Sequence, residues 1–297
     1  MVDMQHRTSF PKASQRLPLR PTGLSVSPLC IGITGTPNTI VSAYEAGVNF
    51  FLLSCDLHWP LYEQTRLGLA RLLKDNRARR DEIVVAGVSY LDEPMFRYLQ
   101  FQEIVDSVPG LQRIDVLLAG AVSSDASFAK IGWLQKARSQ NHVGCSGIGA
   151  TFHAKRFSLA ANLESLIDIH YIRYNTGHPG ARKDLFPHFR PDRSHLTFNF
   201  KSTMFRVSEE RFRALGLSSD LWIPKPSDYY RFAMTHPTVD GILCSPQTPE
   251  ELAELTQALE ERPLTPDEEE YMIWLSCAAY SAGGAPPNPR FPSETGF

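Results

Sequence analysis

The chain has 297 residues, 42% of them hydrophobic and 21% charged, and its 30 basic and 32 acidic side chains leave a formal charge of −2. That balance excludes a polyanion or an anionic membrane as the main partner, and the length suits two average domains or one α/β barrel with extensions. Cys30, Cys55, Cys145, Cys244 and Cys277 are odd in number, scattered and without CxxC spacing, which points to free thiols in a reducing compartment.

Residues 1–17 read as an irregular N-terminal arm. It lacks the apolar stretch of a secretory signal, and no run of 18 apolar residues follows, so a cytoplasmic chain without a transmembrane helix is expected. The first short apolar run is 28–33. Residues 38–46 carry Ile40, Ala43 and Ala46 at helical spacing, with Gly47 as a stop. A second run, 48–53, precedes a helical pattern over 61–73. Further runs follow at 83–88, 114–119, 142–145, 167–172 and 196–200. Ser227 reads as the N-cap of a helix over 227–234, and 239–244 is the eighth run. Thr248-Pro249-Glu250-Glu251 and Thr265-Pro266-Asp267-Glu268 are helix starts, with a capping threonine, proline at the first position and glutamate three residues on. The last helix reaches about residue 279, and the proline-rich stretch 283–297 reads as irregular.

The eight runs are mostly apolar, as expected of parallel strands buried on both faces. Eight strand-then-helix units without a linker between them predict a single (β/α)8 barrel over 1–297. In that fold the chemistry sits where strands end. FFLLSCDLHW (50–59) is such an ending: an apolar run, then Cys55, Asp56 and His58, which offer a nucleophile, an acid and a base, or else form a polar loop with Cys55 as a small buried residue and Trp59-Pro60 packing as a lid.

Several stretches in order resemble the aldo-keto reductase superfamily. LRPTGLSVSPLCIGI (19–33) is similar to its N-terminal hairpin and first strand, and AYEAGVNFF (43–51) to its first helix and second strand. RIDVLLAG (113–120) and VGCSG (143–147) resemble its fourth and fifth strands. IHYIRYNTGHPGARKDLFP (169–187) and the segment 227–269 resemble the sixth-strand and eighth-strand regions of a bacterial branch. The resemblance implies a barrel of that type, with an N-terminal hairpin and an extra C-terminal helix. It also implies NAD(P)H-dependent carbonyl reduction by four side chains. A tyrosine gives the proton, a lysine and an aspartate tune it, and a histidine orients the carbonyl.

On this chain those positions fall on Leu52 for the aspartate, Leu57 for the tyrosine, Val88 for the lysine and Gly120 for the histidine. One or two residues of slip put His58 or Trp59 at the tyrosine position. Because such groups act as a unit, losing all four is expected to abolish the mechanism rather than weaken it. On the cofactor side, Ser146 matches a nicotinamide-binding serine, but Gly147 and Tyr171 replace its asparagine and glutamine partners. Lys201, Ser202 and Ser245 are the remaining candidate contacts to NADP(H). The loop 245–251 carries two acids and no base, which opposes a phosphate at the helix start.

The residues left for chemistry are His58, Asp56, Tyr171 and His178 as acid/base groups. Trp59, Arg173, Asn175, Arg182 and Asn199 are candidates to hold a substrate. Strand alternation puts Tyr171, Arg173 and Asn175 on one face and His170, Ile172 and Tyr174 on the other, and one of the two sets points into the barrel. Arg173 or Arg182 can clamp a carboxylate or phosphate, or else pair structurally with Asp168 or Asp184. No HxH or HExxH spacing supports a metal site. The leading expectation is a repurposed barrel enzyme in a biosynthetic pathway. It would perform non-redox acid/base chemistry (dehydration, cyclisation or isomerisation) on a small molecule, with no cofactor required and no nucleic acid or membrane as partner. The alternatives are an NADPH-dependent reductase with His58 or Tyr171 as the proton donor, and a non-catalytic binding or scaffold protein.

Overall fold

A computed structural model describes residues 7–54, 56, 58–75, 77–91, 94–122, 126–152, 165–190 and 192–280. Its first two strands, β1 (Leu17–Leu19) and β2 (Leu24–Val26), form an antiparallel hairpin with Leu17 opposite Val26. Eight parallel strands then close a barrel: β3 (Leu29–Ile31), β4 (Phe50–Ser54), β5 (Val84–Ser89), β6 (Val116–Val122), β7 (Gly147–Phe152), β8 (Ile169–Arg173), β9 (Leu196–Phe200) and β10 (Gly241–Cys244). They are ordered β10-β3-β4-β5-β6-β7-β8-β9, with β9 pairing back to β10. The helices α1 (Pro37–Glu45), α2 (Glu63–Lys74), α3 (Pro94–Ser107) and α4 (Ala126–Ser139) each follow a strand. Later helices span Ala181–Asp184, Glu209–Ala214, Pro226–Thr235, Pro249–Ala258 and Pro266–Tyr280. Among the described residues no helix is long and apolar enough to cross a membrane.

The hairpin lies at the N-terminal end of the barrel, where Leu19 and Thr22 sit against Gly147, the first residue of β7. Asn49, just before β4, ties it down. The Asn49 side chain donates to Ser25 O (2.9 Å) and accepts from Ser27 N (2.7 Å). A second device repeats around the same end. Asp115, Asp168 and Asp240 each precede a strand, and each carboxylate accepts a backbone N–H of the strand before it, from Val85, Ile148 and Thr197 respectively. Each also pairs with arginine: Arg80 and Arg113 on Asp115, Arg138 on Asp168, Arg193 on Asp240. Buried carboxylates persist because charge and hydrogen bonds are both satisfied.

The barrel interior is packed with side chains. Phe50 of β4 meets Phe198 of β9 edge-on at 5.5 Å, and Tyr171 of β8 lies 5.7 Å from the same ring. The Tyr171 hydroxyl reaches Cys30 Sγ of β3 at 3.4 Å. β8 and β9 are neighbours, but β4 and β9 are not, nor are β8 and β3, so the Phe50–Phe198 and Tyr171–Cys30 contacts cross the interior, and the Tyr171 face of β8 is the inward one. Tyr174 points outward and packs on Phe232 and Phe186.

Seven of the eight apolar runs overlap a barrel strand. The fifth does not: residues 142–144 form a 3-10 turn, and β7 starts at Gly147. Asn141, Val143 and Gly144 all have positive φ (51°, 46° and 72°), so the chain reverses there instead of extending. The caps at Thr248 and Thr265 form as expected, each threonine Oγ accepting from the N–H three residues on. Ser227 does not cap. The helix starts at Pro226, Asp228 accepts from Lys225 N (2.8 Å), and Ser227 Oγ donates to Glu254 (2.9 Å). The N-terminal arm is irregular from Arg7 to Arg16 but enters β1 at Leu17, and the stretch 283–297 lies outside the described residues.

Candidate active site at the C-terminal ends of the strands

The loop after β4 leaves the barrel as a tight turn, with Trp59 N bonded to Asp56 O, and continues into a 3-10 helix over Trp59–Tyr62. Only 2% of the Asp56 side chain is exposed. Its carboxylate accepts four hydrogen bonds: from Ser54 Oγ (2.8 Å), His58 N (3.0 Å), His58 Nδ1 (2.9 Å) and Tyr90 N (2.9 Å). Burial alone would raise its pKa. The hydrogen bonds outweigh that and lower it, so Asp56 is an anion at neutral pH. An anionic acceptor fixes the proton of His58 on Nδ1 and leaves Nε2 as the free edge of a ring that is 47% exposed. The Tyr90 ring flanks this imidazole at 4.8 Å. Cys55 and Leu57 lie outside the described residues.

Two tyrosines join this site that the strand-end motifs did not indicate. Tyr62 is buried, and its phenol interacts electrostatically with Tyr90, Cys30 and Asp56. Tyr90, partly exposed, follows β5 directly. Burial first, and the neighbouring acidic groups second, raise the pKa of Tyr62, Tyr90 and Tyr171. All three stay protonated. The sequence signal for Tyr90 was its place one residue past a strand end; Tyr62 had none. Tyr171 itself is sealed in the barrel at 0% exposure, which removes it as a group that meets substrate.

The opposite wall of the mouth is the exit of β8 and β9. Arg173 is in register with Phe200, so Arg173 and Lys201 leave adjacent strands at one level. Arg173 rests its Nη2 on Met204 Sδ (3.1 Å), and its buried Nε has no partner. Lys201 is exposed, with φ 60°. Asn175 is fully buried and donates to Lys201 O (2.8 Å), while its Oδ1 accepts nothing. His178 closes a tight turn back onto Asn175 and packs on Phe205 at 4.8 Å. Its pKa is lowered by burial and then by Arg173, and its Nδ1 is unpartnered.

Other candidates have structural roles. Arg182 bonds Tyr174 Oη and Glu269 and lies over the Phe232 ring, so it pins the β8 loop to the C-terminal helix. Asn199 and Ser202 are both buried and bonded to each other, and Asn199 also holds Tyr174 O, which ties the exits of β8 and β9 together. Ser146 precedes β7 and bonds Asp115 O at the opposite end of the barrel, as follows from the displaced fifth strand. Trp59 is half-buried, with one ring face covered by the Arg66 guanidinium at 3.4 Å. Arg173 pairs with neither Asp168 nor Asp184, and Asp168 is held by Arg138. Among the described residues no His, Cys, Asp and Glu side chains converge as metal ligands.

A dinucleotide phosphate would be expected against the loop after β10. There Gln247 O accepts from Gly35 N and Thr39 Oγ1, Gln247 N donates to Glu251, and Glu251 N donates to Thr248. Ser245 sits beside Gly32 on this loop. Gln247 N and Glu251 N are thus taken by the chain itself, and the first turn of the helix holds Glu250 and Glu251. These residues do not fit a bound phosphate.

No family model matches the sequence, and no curated relative matches it. Solved structures do. A putative aldo-keto reductase from Pseudomonas aeruginosa superposes with a TM-score of 0.60 at 15% identity, covering 85% of this chain and 98% of that one. An aldo-keto reductase from Bacillus halodurans, in a holo form, gives 0.65 at 14% identity, covering 91% and 99%. Together with the closed parallel barrel and the N-terminal hairpin, these matches establish that the chain has the aldo-keto reductase fold.

Proposed function

We propose that this barrel is an enzyme that moves a proton on a small metabolite, with His58 as the acid/base and Asp56 as its orienting carboxylate. The observation that carries the reading is the Asp56–His58 pair. A buried anion held by four hydrogen bonds presents one imidazole nitrogen to the mouth of the barrel. A positioned general acid or base contributes ~10²–10⁴ in rate. The chemistry that suits it is dehydration, cyclisation or isomerisation, where one group removes a proton and returns it elsewhere. Hydride transfer is not part of the reading. Leu52, Val88 and Gly120 stand where the resemblance places three reductase groups, and the loop after β10 does not fit a dinucleotide phosphate.

Incubating the protein with a metabolite extract in D2O, and following deuterium uptake and new products by mass spectrometry, tests this directly. A conversion is expected with the wild type that falls by ~10²-fold or more in His58→Ala and in Asp56→Asn. Steady consumption of NADPH with any carbonyl compound, followed by nicotinamide fluorescence, would overturn the reading in favour of a reductase.

A further inference from the structure

We infer that the exits of β8 and β9 form a subsite for the anionic end of the substrate, with Arg173 and Lys201 binding a compact carboxylate or phosphate and Asn175 accepting from a neighbouring hydroxyl or amino group. The inference rests on the proposed reading of the barrel mouth as a substrate site, and it adds the chemical class of the substrate.

Three buried polar atoms here lack partners among the described residues: Arg173 Nε, His178 Nδ1 and Asn175 Oδ1. Buried polar groups are rarely left unpaired, because each costs ~1–3 kcal/mol. Their types are informative. The guanidinium supplies a donor, and with Lys201 it puts two cations at one level. Among the described residues no carboxylate pairs with either. Arg173 lowers the pKa of Lys201 and of His178, in both cases after burial, which is the effect of like charges held close without a counter-ion. A bound anion removes that repulsion.

Asn175 makes the opposite demand. Its amide nitrogen is committed to Lys201 O at 2.8 Å, which fixes the orientation of the amide. Its Oδ1 therefore needs a donor, and a bare anion has none. A molecule with a hydroxyl or amino group beside its anionic group satisfies both.

The position also fits. β8 is four strands from β4 around the closed order. The cations and the Asp56–His58 pair thus stand on opposite walls of one mouth, and a substrate anchored by its anion reaches His58 with its other end.

Isothermal titration of the full chain with lactate, propionate, inorganic phosphate and NADPH tests the subsite without requiring turnover. Lactate or phosphate is expected to bind, and either Arg173→Gln or Lys201→Gln is expected to weaken binding at least tenfold. Lys183→Gln, which removes an exposed charge elsewhere, should leave it unchanged. Lactate is expected to bind several-fold more tightly than propionate, which lacks the hydroxyl. Thermal unfolding of each variant confirms its fold, and the exposed Lys201 serves if Arg173→Gln is unstable. Absence of binding by the wild type, or equal binding by both variants, overturns the subsite. NADPH that displaces lactate and itself depends on Arg173 and Lys201 also overturns it, since the cations then serve a cofactor. Binding is read apart from chemistry, so a failure of His58 as acid/base and a failure of the anion subsite give different results.

Discussion

The Tyr90 ring lies against Gly120 so closely that a Cβ on residue 120 would come within 2.4 Å of its Cδ1. The resemblance puts a carbonyl-orienting histidine at 120. The tyrosine occupies the space that side chain would need, while its own N–H holds Asp56. Tyr90 therefore couples the Asp56–His58 pair to the space beside Gly120.

That coupling is measurable. Gly120→Ala is expected to destabilise the protein by ~1–3 kcal/mol through overpacking. Most of that cost should disappear when Tyr90→Ala is already present. A double-mutant cycle by urea unfolding gives the coupling energy. A coupling near zero would show that Tyr90 moves aside freely.

Tyr171 is expected to behave as core. Its hydroxyl meets only the weak acceptor Cys30 Sγ, so Tyr171→Phe should change stability by no more than ~1 kcal/mol and leave any activity intact. Tyr171→Ala should cost ~3–5 kcal/mol, because it empties a fully buried site beside Phe198. Loss of turnover in a well-folded Tyr171→Phe would restore it as a proton donor.

Arg182 is expected to matter for stability rather than binding. Truncation to alanine leaves the buried Glu269 carboxylate without this cation and uncovers the Phe232 ring. A loss of roughly 3 kcal/mol is expected in chemical denaturation. Lactate affinity should be unaffected in the titration that tests Arg173.

Acid sensitivity should begin well above the carboxylate range. His195 is buried beside His170 and Phe189, and its pKa is lowered to about 2, by burial first and then by His170 and two arginines. A histidine whose folded pKa is lowered disfavours the proton in the native state. The unfolded chain takes that proton up below about 6.5, so stability falls as pH drops from there. One such group contributes up to ~1.4 kcal/mol per pH unit. Denaturant titrations at pH 7 and pH 5 should show the loss in the wild type, and a smaller loss in His195→Phe. Identical slopes would remove His195 as the cause.

The strands were legible because each is a short, mostly apolar run, as a barrel strand between interior and helix layer requires, and the polar exceptions His170, Thr197 and Asn199 are themselves buried. Run 142–145 failed for a local reason. Asn141 and Val143 take positive φ, a choice made by the turn and not by hydrophobicity. Asp56 and His58 were legible as a polar pair just past a strand end.

Other decisions belonged to the tertiary structure. The alternation of β8 allowed Tyr171 or Tyr174 to face inward with equal force. The Tyr171–Cys30 contact decided it, because only a closed barrel brings β3 and β8 across from one another. Arg173 and Arg182 are the same residue type nine positions apart, at the end of β8 and in the short helix that follows it. One is a cation without a carboxylate partner among the described residues and the other a pin to the C-terminal helix, a difference set by Glu269, 87 residues away. The sequence by itself determined which segments are strands and which loops carry polar groups, since burial and backbone conformation act locally. Which of those groups are free to act was decided by distant partners, and only the closed fold brings them within hydrogen-bonding reach.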